Sequence, residues 1–493
     1  MCGILGIIYN DKDKFVNQSL VDGLTVLQHR GQESAGIATI HENRFHIYKN
    51  RGLVADVFNQ ENVLNLKGNM GIGHVRYPTS GSTSIYEAHP LYTNTPYGIA
   101  FVHNGNITNT KEIMNDMIKN NRHINTNSDS ELLLNVFAEE LSRKKISNIT
   151  EFDIYDSVRA LMRICKGGFS VIMLINRVGL VAFRDPCGIR PLCFGKNENG
   201  DYVIASESVA IDALSSNFKL MRDILPGECL YINSNNYELS AQQVSESYIY
   251  KPCLFEYIYF ARPDSTIDRI SVYEARIKMG EKLANKIIKE FPENDIDIVM
   301  PIPETSRISA LEISKILNKP YKEGFIKNRY IARTFILPGQ EIRKKTVKLK
   351  LNTIKSIFKD KNVLIVDDSI VRGTTSTELV QLAKTAGAKK IYFASAAPIV
   401  KYPNVYGIDI PTSKELIANN KNEIEIAKTI GADKIFYNDL DDVINCCLSS
   451  IPKNDISHNY APIELETSCF NGDYITGNID TDYLNELELK RKL

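Results

Sequence analysis

Apolar residues along this chain follow two kinds of spacing, and the change from one to the other separates its halves. In the first half Ile113, Met114 and Met117, then Leu132, Leu133, Val136 and Phe137, recur at helical intervals. The runs 171–175, 180–183, 202–205 and 230–232 read instead as strands between polar turns. In the second half an amphipathic helix over 271–289 precedes strand patterns at 295–300, 363–366, 391–394 and 434–436, with helices between them. Strand alternating with helix is the pattern of a parallel sheet, whose ligands gather at the carboxyl ends of the strands.

Two of those ends carry polar residues where a buried strand should stop. Val363-Leu364-Ile365-Val366 is broken by Asp367-Asp368-Ser369, and Val371, Arg372 and Gly373 then form a tight loop. Thr374-Thr375-Ser376 open a helix whose first N–H groups and dipole favour a phosphate. Adjacent carboxylates suit a sugar diol or a divalent cation, so phosphate and diol together suggest a ribose 5-phosphate. The plainer alternative is a buried strand, a polar turn and an ordinary capped helix. Pro301-Ile302-Pro303-Glu304-Thr305-Ser306 ends the other strand, and a proline-rich turn without a ligand is equally open there.

Composition narrows the function more than the fold. At 493 residues the chain exceeds one ordinary core, which points to two domains. Lys+Arg and Asp+Glu are both 59, so there is no global charge to recruit nucleic acid or an acidic membrane. No signal-like start and no apolar run of roughly 20 residues is present, and a cytoplasmic protein is expected. Nine cysteines without a CxxC pair indicate reduced thiols.

One of those thiols stands second in the chain, in Met1-Cys2-Gly3-Ile4. If Met1 is trimmed, the freed α-amine, with a pKa of about 7.7–8.0, can take the thiol proton itself. Alone, a second-position cysteine is more simply a small buried residue. Downstream lie Leu27-Gln28-His29-Arg30-Gly31-Gln32-Glu33-Ser34-Ala35-Gly36, Gly71-Ile72-Gly73-His74-Val75-Arg76-Tyr77, Phe101-Val102-His103-Asn104-Gly105-Asn106 and Asn127-Ser128-Asp129-Ser130-Glu131. In this order the blocks resemble the class II glutamine amidotransferases. That resemblance implies a four-layer αββα domain of the N-terminal-nucleophile type over residues 2–240. Cys2 would be the nucleophile, Asn104 and Gly105 the oxyanion donors, and Arg76, Gly105 and Asp129 the glutamine-binding residues. Asn104-Gly105 also fits a hairpin turn, and Arg76 alone fits an ion pair. His29, His74 and His103 have no metal-ligand spacing and read as satisfied polar groups.

The 363–376 stretch is similar to the phosphoribosyl pyrophosphate loop of type I phosphoribosyltransferases. A parallel-sheet domain of that family over 241–470, with a tail over 471–493, is therefore expected. Asp367, Asp368, Ser369, Val371, Arg372, Gly373, Thr374 and Thr375 would bind the donor, with Lys327 and Arg333 on a flap closing over the pyrophosphate. The basic run near Arg343-Lys344-Lys345 would otherwise be a solvated face. One Mg²⁺ per subunit is implied, near Thr305, Asp367 and Asp368.

Together the resemblances imply transfer of glutamine-derived ammonia to C1 of phosphoribosyl pyrophosphate, the committed step of purine synthesis. They also imply a homo-oligomer, often a tetramer, inhibited by purine nucleotides. Some relatives hold a 4Fe–4S cluster on four cysteines, but here Asn404 and Glu466 stand with Cys253 and Cys469, so no cluster is expected. A sugar-phosphate aminotransferase would need sugar-isomerase repeats, and a purine-sensing regulator a basic helix-turn-helix. Neither stands out.

Overall fold

The computed structural model describes residues 1–77, 84–144, 149–328, 351–410, 412–452 and 461–490. Its first half is two antiparallel sheets packed face to face. The first sheet is built from β1 (Gly3–Ile8), β2 (Ser34–His41), β3 (Arg44–Arg51), β4 (Met70–Arg76), β9 (Cys193–Lys196), β10 (Tyr202–Ala205) and β11 (Lys219–Asp223), ordered β11-β9-β10-β1-β4-β2-β3. The second contains β5 (Leu91–Thr93), β6 (Ile99–Ile107), β7 (Gly167–Ile175), β8 (Gly179–Arg184), β12 (Glu228–Asn233) and β13 (Leu239–Gln243), ordered β13-β12-β8-β7-β6-β5.

Alternation along each strand explains the layering, because successive side chains point to opposite faces. In β6, Ala100 and Val102 enter the core between the sheets with Ile4, Ile72 and Ile172, while Phe101 enters the core under the outer helices. Helices Thr110–Lys119, Asp129–Ser142 and Glu151–Ile164 cover the second sheet. The helix Asn17–Val26 covers the first, with Leu20 and Leu24 packed on Val75 and Val203. This is the expected αββα arrangement. β13 runs to Gln243, so the sheet continues a few residues beyond the expected boundary at 240.

A buried turn of π-helix, Glu256–Phe260, and the hairpin of β14 (Thr266–Ile267) with β15 (Ile270–Ser271) lead into the second half. The helix Val272–Glu290 follows, with the Ser271 side chain accepting from the N–H of Glu274 at its start. The parallel sheet has the order β16 (Ile298–Pro301), β19 (Asn362–Asp367), β20 (Lys390–Ser395), β21 (Lys434–Tyr437). β16 is shorter than the apolar pattern suggests: the carboxylate of Asp297 accepts the N–H of Asn362 at 2.8 Å, taking a donor that a longer ladder would use. A separate hairpin pairs β17 (Phe325–Lys327) with β18 (Leu351–Thr353).

Candidate functional site

Residue Cys2 precedes β1, and the register pairing Gly3 with Val75 carries it toward Arg76 at the end of β4. Its backbone N–H donates to Oδ1 of Asn104 on the facing sheet at 2.9 Å, and its Sγ lies 3.9 Å from the carbonyl oxygen of Tyr77. The Asn104 side chain is buried, and its Nδ2 finds no hydrogen-bond partner among the described residues. A buried amide donor left over in this way is available to an oxyanion. Gly105 adopts φ +149°, and a Cβ there would lie 2.1 Å from the carbonyl oxygen of Gly168, so only glycine fits.

Arg76 is buried, not at the surface. Its guanidinium donates to Glu33 at 3.0 Å and to Glu87 at 2.5 Å. Asp129, at the first turn of its helix, accepts the N–H of Ile107 at 3.0 Å. Beneath Cys2, Arg30 is fully buried: its Nε donates to the Cys2 carbonyl at 3.0 Å, and its other nitrogens bind Glu207 and Glu256. Burial alone would raise the Glu207 carboxyl, but His29 and Arg30 outweigh it and hold the group below the usual range.

In the second half the parallel pairing of Pro301 with Val366 brings two strand ends side by side. Thr305 donates its hydroxyl to Asp368, and Ser369 donates to the other oxygen of that carboxylate at 2.7 Å. Burial, then the neighbouring Asp368, push the Asp367 carboxyl well up from its ordinary value. Gly373, at φ +75°, caps the helix Thr374–Thr385, and a Cβ on it would meet Ile417 Cδ1 at 2.2 Å. Arg372 pairs with Glu415 at 3.1 Å, Val371 accepts from the N–H of Ile417 at 3.0 Å, and Thr374 and Thr375 are exposed at the helix start. Lys327 is exposed on β17, while Arg333 lies outside the described residues.

The first site touches a loop of the second half. Asn106 donates to the Val405 carbonyl at 2.9 Å, and a Cβ on Gly407 would be only 2.8 Å from the carbonyl carbon of Gly105. Cys253 and Glu466 form an isolated bridge, and the Cys469 carbonyl accepts from Lys401 and Tyr402, just before Asn404. Two thiols, a carboxylate and an amide are not the four-thiolate set a 4Fe–4S cluster takes. Among the described residues no group of three or more His, Cys, Asp or Glu side chains is arranged to hold a metal. None of the helices there is long and apolar enough to cross a membrane.

Glu33, Glu87, Glu207 and Glu256 had no sequence-level role, because each acts through a partner distant in the chain. Arg30 stands in the 27–36 segment, whose sequence alone does not show that it reaches the Cys2 carbonyl.

These features define a glutamine amidotransferase domain joined to a phosphoribosyltransferase domain. Models of exactly such units, described as a glutamine amidotransferase domain and a phosphoribosyl transferase domain, match residues 79–213 and 267–405. The chain is 51% identical to the amidophosphoribosyltransferase of Pseudomonas aeruginosa, over 100% of this chain and 96% of that protein. It is 48% identical to that of Saccharomyces cerevisiae, with the same coverage. A solved glutamine phosphoribosylpyrophosphate amidotransferase from B. subtilis, complexed with ADP and GMP, superposes with a TM-score of 0.82 at 32% identity, covering 97% of this chain and 98% of that one. The chain belongs to the amidophosphoribosyltransferase family.

Proposed function

We propose that the chain hydrolyses glutamine at Cys2 and passes the ammonia to C1 of 5-phosphoribosyl 1-pyrophosphate, giving 5-phosphoribosylamine, glutamate and pyrophosphate in the committed step of purine synthesis. The reading is carried by one observation: the Asn104–Gly105–Asn106 segment beside Cys2 lies against Val405 and Gly407, a loop of the half that carries the strand-end cradle. Residues 2–240 and 241–470 are the two catalytic units, and 471–493 form the tail.

With Met1 removed, the Cys2 amine takes the thiol proton and the thiolate attacks the glutamine amide carbon. The negative oxygen formed is met by Asn104 Nδ2 and the Gly105 N–H. Ammonia leaves with that proton, and water cleaves the thioester to glutamate. Arg76 holds the glutamine α-carboxylate, for which it must share or exchange its bonds to Glu33 and Glu87, and Asp129 holds the α-ammonium.

At the second site the N–H groups of Arg372, Gly373, Thr374 and Thr375 receive the 5-phosphate, and Asp367, Asp368, Ser369 and Val371 border the ribose. Lys327 and Arg333 approach the pyrophosphate. Asp367, Asp368 and Thr305 suit one Mg²⁺, because crowded carboxylates with one raised pKa gain from a cation and Mg²⁺ needs few protein ligands. When bound, the ion neutralises charge on the departing pyrophosphate. Ammonia's nitrogen bonds to C1 as the C1–O bond breaks, and one proton is lost. Bulk water would convert ammonia to ammonium, so the contact between the halves at Gly105 and Gly407 matters. The protein is a cytoplasmic homo-oligomer, a tetramer, inhibited by purine nucleotides; the ADP and GMP bound by the B. subtilis enzyme support the last of these.

Pyrophosphate release measured with glutamine and then with ammonia tests the division of labour. Cys2→Ala should abolish glutamine use and keep ammonia use; equal loss of both would overturn the two-site reading.

A further inference from the structure

Three histidines lie buried behind the glutamine site: His74 on β4, His103 on β6, and His89 just before β5. Alternation places them differently. His74 shares its strand face with Ile72 and Arg76, so it points across the core between the sheets. His103 points the other way, toward the helices, where its Nδ1 meets Ser130 Oγ at 2.8 Å. The His74 Nε2 lies 3.0 Å from the carbonyl oxygen of His103, a contact that requires the proton on Nε2.

That carbonyl belongs to the peptide joining His103 to Asn104. β5 pairs with β6 only from Ile99 to Phe101, so no described strand continues along that edge beside residues 103 and 104. The imidazole supplies from the opposite sheet the restraint that a ladder would supply elsewhere. It is itself fixed by His89, whose ring stacks on it at 4.3 Å and 21°, and whose Nδ1 donates to the Glu87 carbonyl at 3.1 Å. Lys49 holds the same segment, donating to the carbonyls of Ala88 at 2.5 Å and Pro90 at 3.0 Å.

We propose that His74 is a positioning residue for amide hydrolysis: its Nε2–H fixes the His103–Asn104 peptide so that the Asn104 amide is aimed at the oxyanion formed by attack of Cys2. His74 contacts neither substrate nor nucleophile in this role. The proposal rests on Cys2 and Asn104 acting as described above.

A donor that only aims an oxyanion group should affect turnover and not ground-state binding. His74→Leu should lower the glutamine-dependent kcat by roughly 10- to 100-fold, somewhat less than loss of an oxyanion donor itself. The KM for glutamine and the ammonia-dependent rate should stay within about threefold. His74→Gln, whose amide nitrogen reaches nearly as far as Nε2, should recover most of kcat, whereas His74→Asn, one bond shorter, should not. An aldehyde analogue of glutamine, which forms a tetrahedral adduct on Cys2, should bind the Leu and Asn variants more weakly by the factor seen in kcat, with glutamate inhibition unchanged. Where the Leu variant does not fold, the Gln and Asn pair decides. The proposal is overturned if Gln and Asn lose kcat equally, if the loss falls on KM, or if ammonia use falls with glutamine use. Retention of glutamine use by Cys2→Ala would instead sink the nucleophile assignment, whatever His74 does.

Discussion

The neutral state of the buried histidines has a cost that appears only in acid. Burial lowers the pKa of His74 to about 3 and draws His89 and His103 below their ordinary value of 6.5. Each is protonated near pH 6.5 when unfolded but stays neutral when folded. The stability each contributes is therefore whole above pH 6.5 and is lost as the pH falls from 6.5 toward the folded value, at roughly 1 kcal/mol per pH unit per histidine. Urea unfolding followed by tyrosine fluorescence, in a chain with no tryptophan, should show a midpoint that falls below pH 6.5. His74→Gln should flatten that fall by about one proton between pH 6 and 4, and an unchanged slope would contradict it. At this scale the sequence showed the groups proposed to meet the substrate, because whole blocks around Cys2, Arg76, Asn104 and Asp129 carry them. It hid their supports. Glu87 and His89 sit in no block, and Arg76 could be read as an ion pair or as a carboxylate clamp; its pairing with two glutamates shows that it already does the first.

Two loops carry glycines that look alike in the sequence and differ in what they press against. At Gly407, φ is +103° and an added Cβ would meet the Gly105 backbone, at 2.8–3.0 Å from its carbonyl carbon, oxygen and Cα. Backbone in a paired strand cannot yield. Gly407→Ala should push the loop away from the oxyanion strand and lower glutamine-dependent turnover about tenfold or more, with a much smaller effect on ammonia use. At Gly373, φ is +75° and the added Cβ would meet the tip of Ile417, which can rotate. Gly373→Ala should raise the KM for the pentose donor with either nitrogen source, through strain of about 1 kcal/mol at the helix start. Steady-state kinetics with both nitrogen sources separates these cases, and equal loss in Gly407→Ala would refute the contact. Strands and helices were legible where apolar runs ended in glycine or carboxylates, as at Asp367. The start of β16 was not, since whether Asp297 pairs through its side chain depends on Asn362, remote in sequence.

Across the whole molecule the seam between the halves is held by charge buried where water cannot reach. Arg184 of β8 and Asp268 of the hairpin at the entry to the second half form a two-pronged pair at 2.6 and 2.8 Å, both fully buried. The tyrosines at 250 and 257 donate to the same carboxylate. Replacing a buried pair by apolar residues is often neutral, because desolvation cancels most of the attraction. Here it should not be. The same guanidinium donates to the carbonyls of Gly188, Arg190 and Ile224; Ser170 also donates to that of Arg190 at 3.0 Å, so removing the guanidinium strands the other two. Asp268→Leu should cost about 3–5 kcal/mol by leaving the arginine charge uncompensated. The double substitution Arg184→Met with Asp268→Leu should recover little of that, since each stranded buried carbonyl costs about 1–3 kcal/mol. Unfolding midpoints of the two single variants and the double variant measure the coupling directly. Recovery of wild-type stability in the double variant would show that the pair serves only itself and that the seam is held by its apolar contacts.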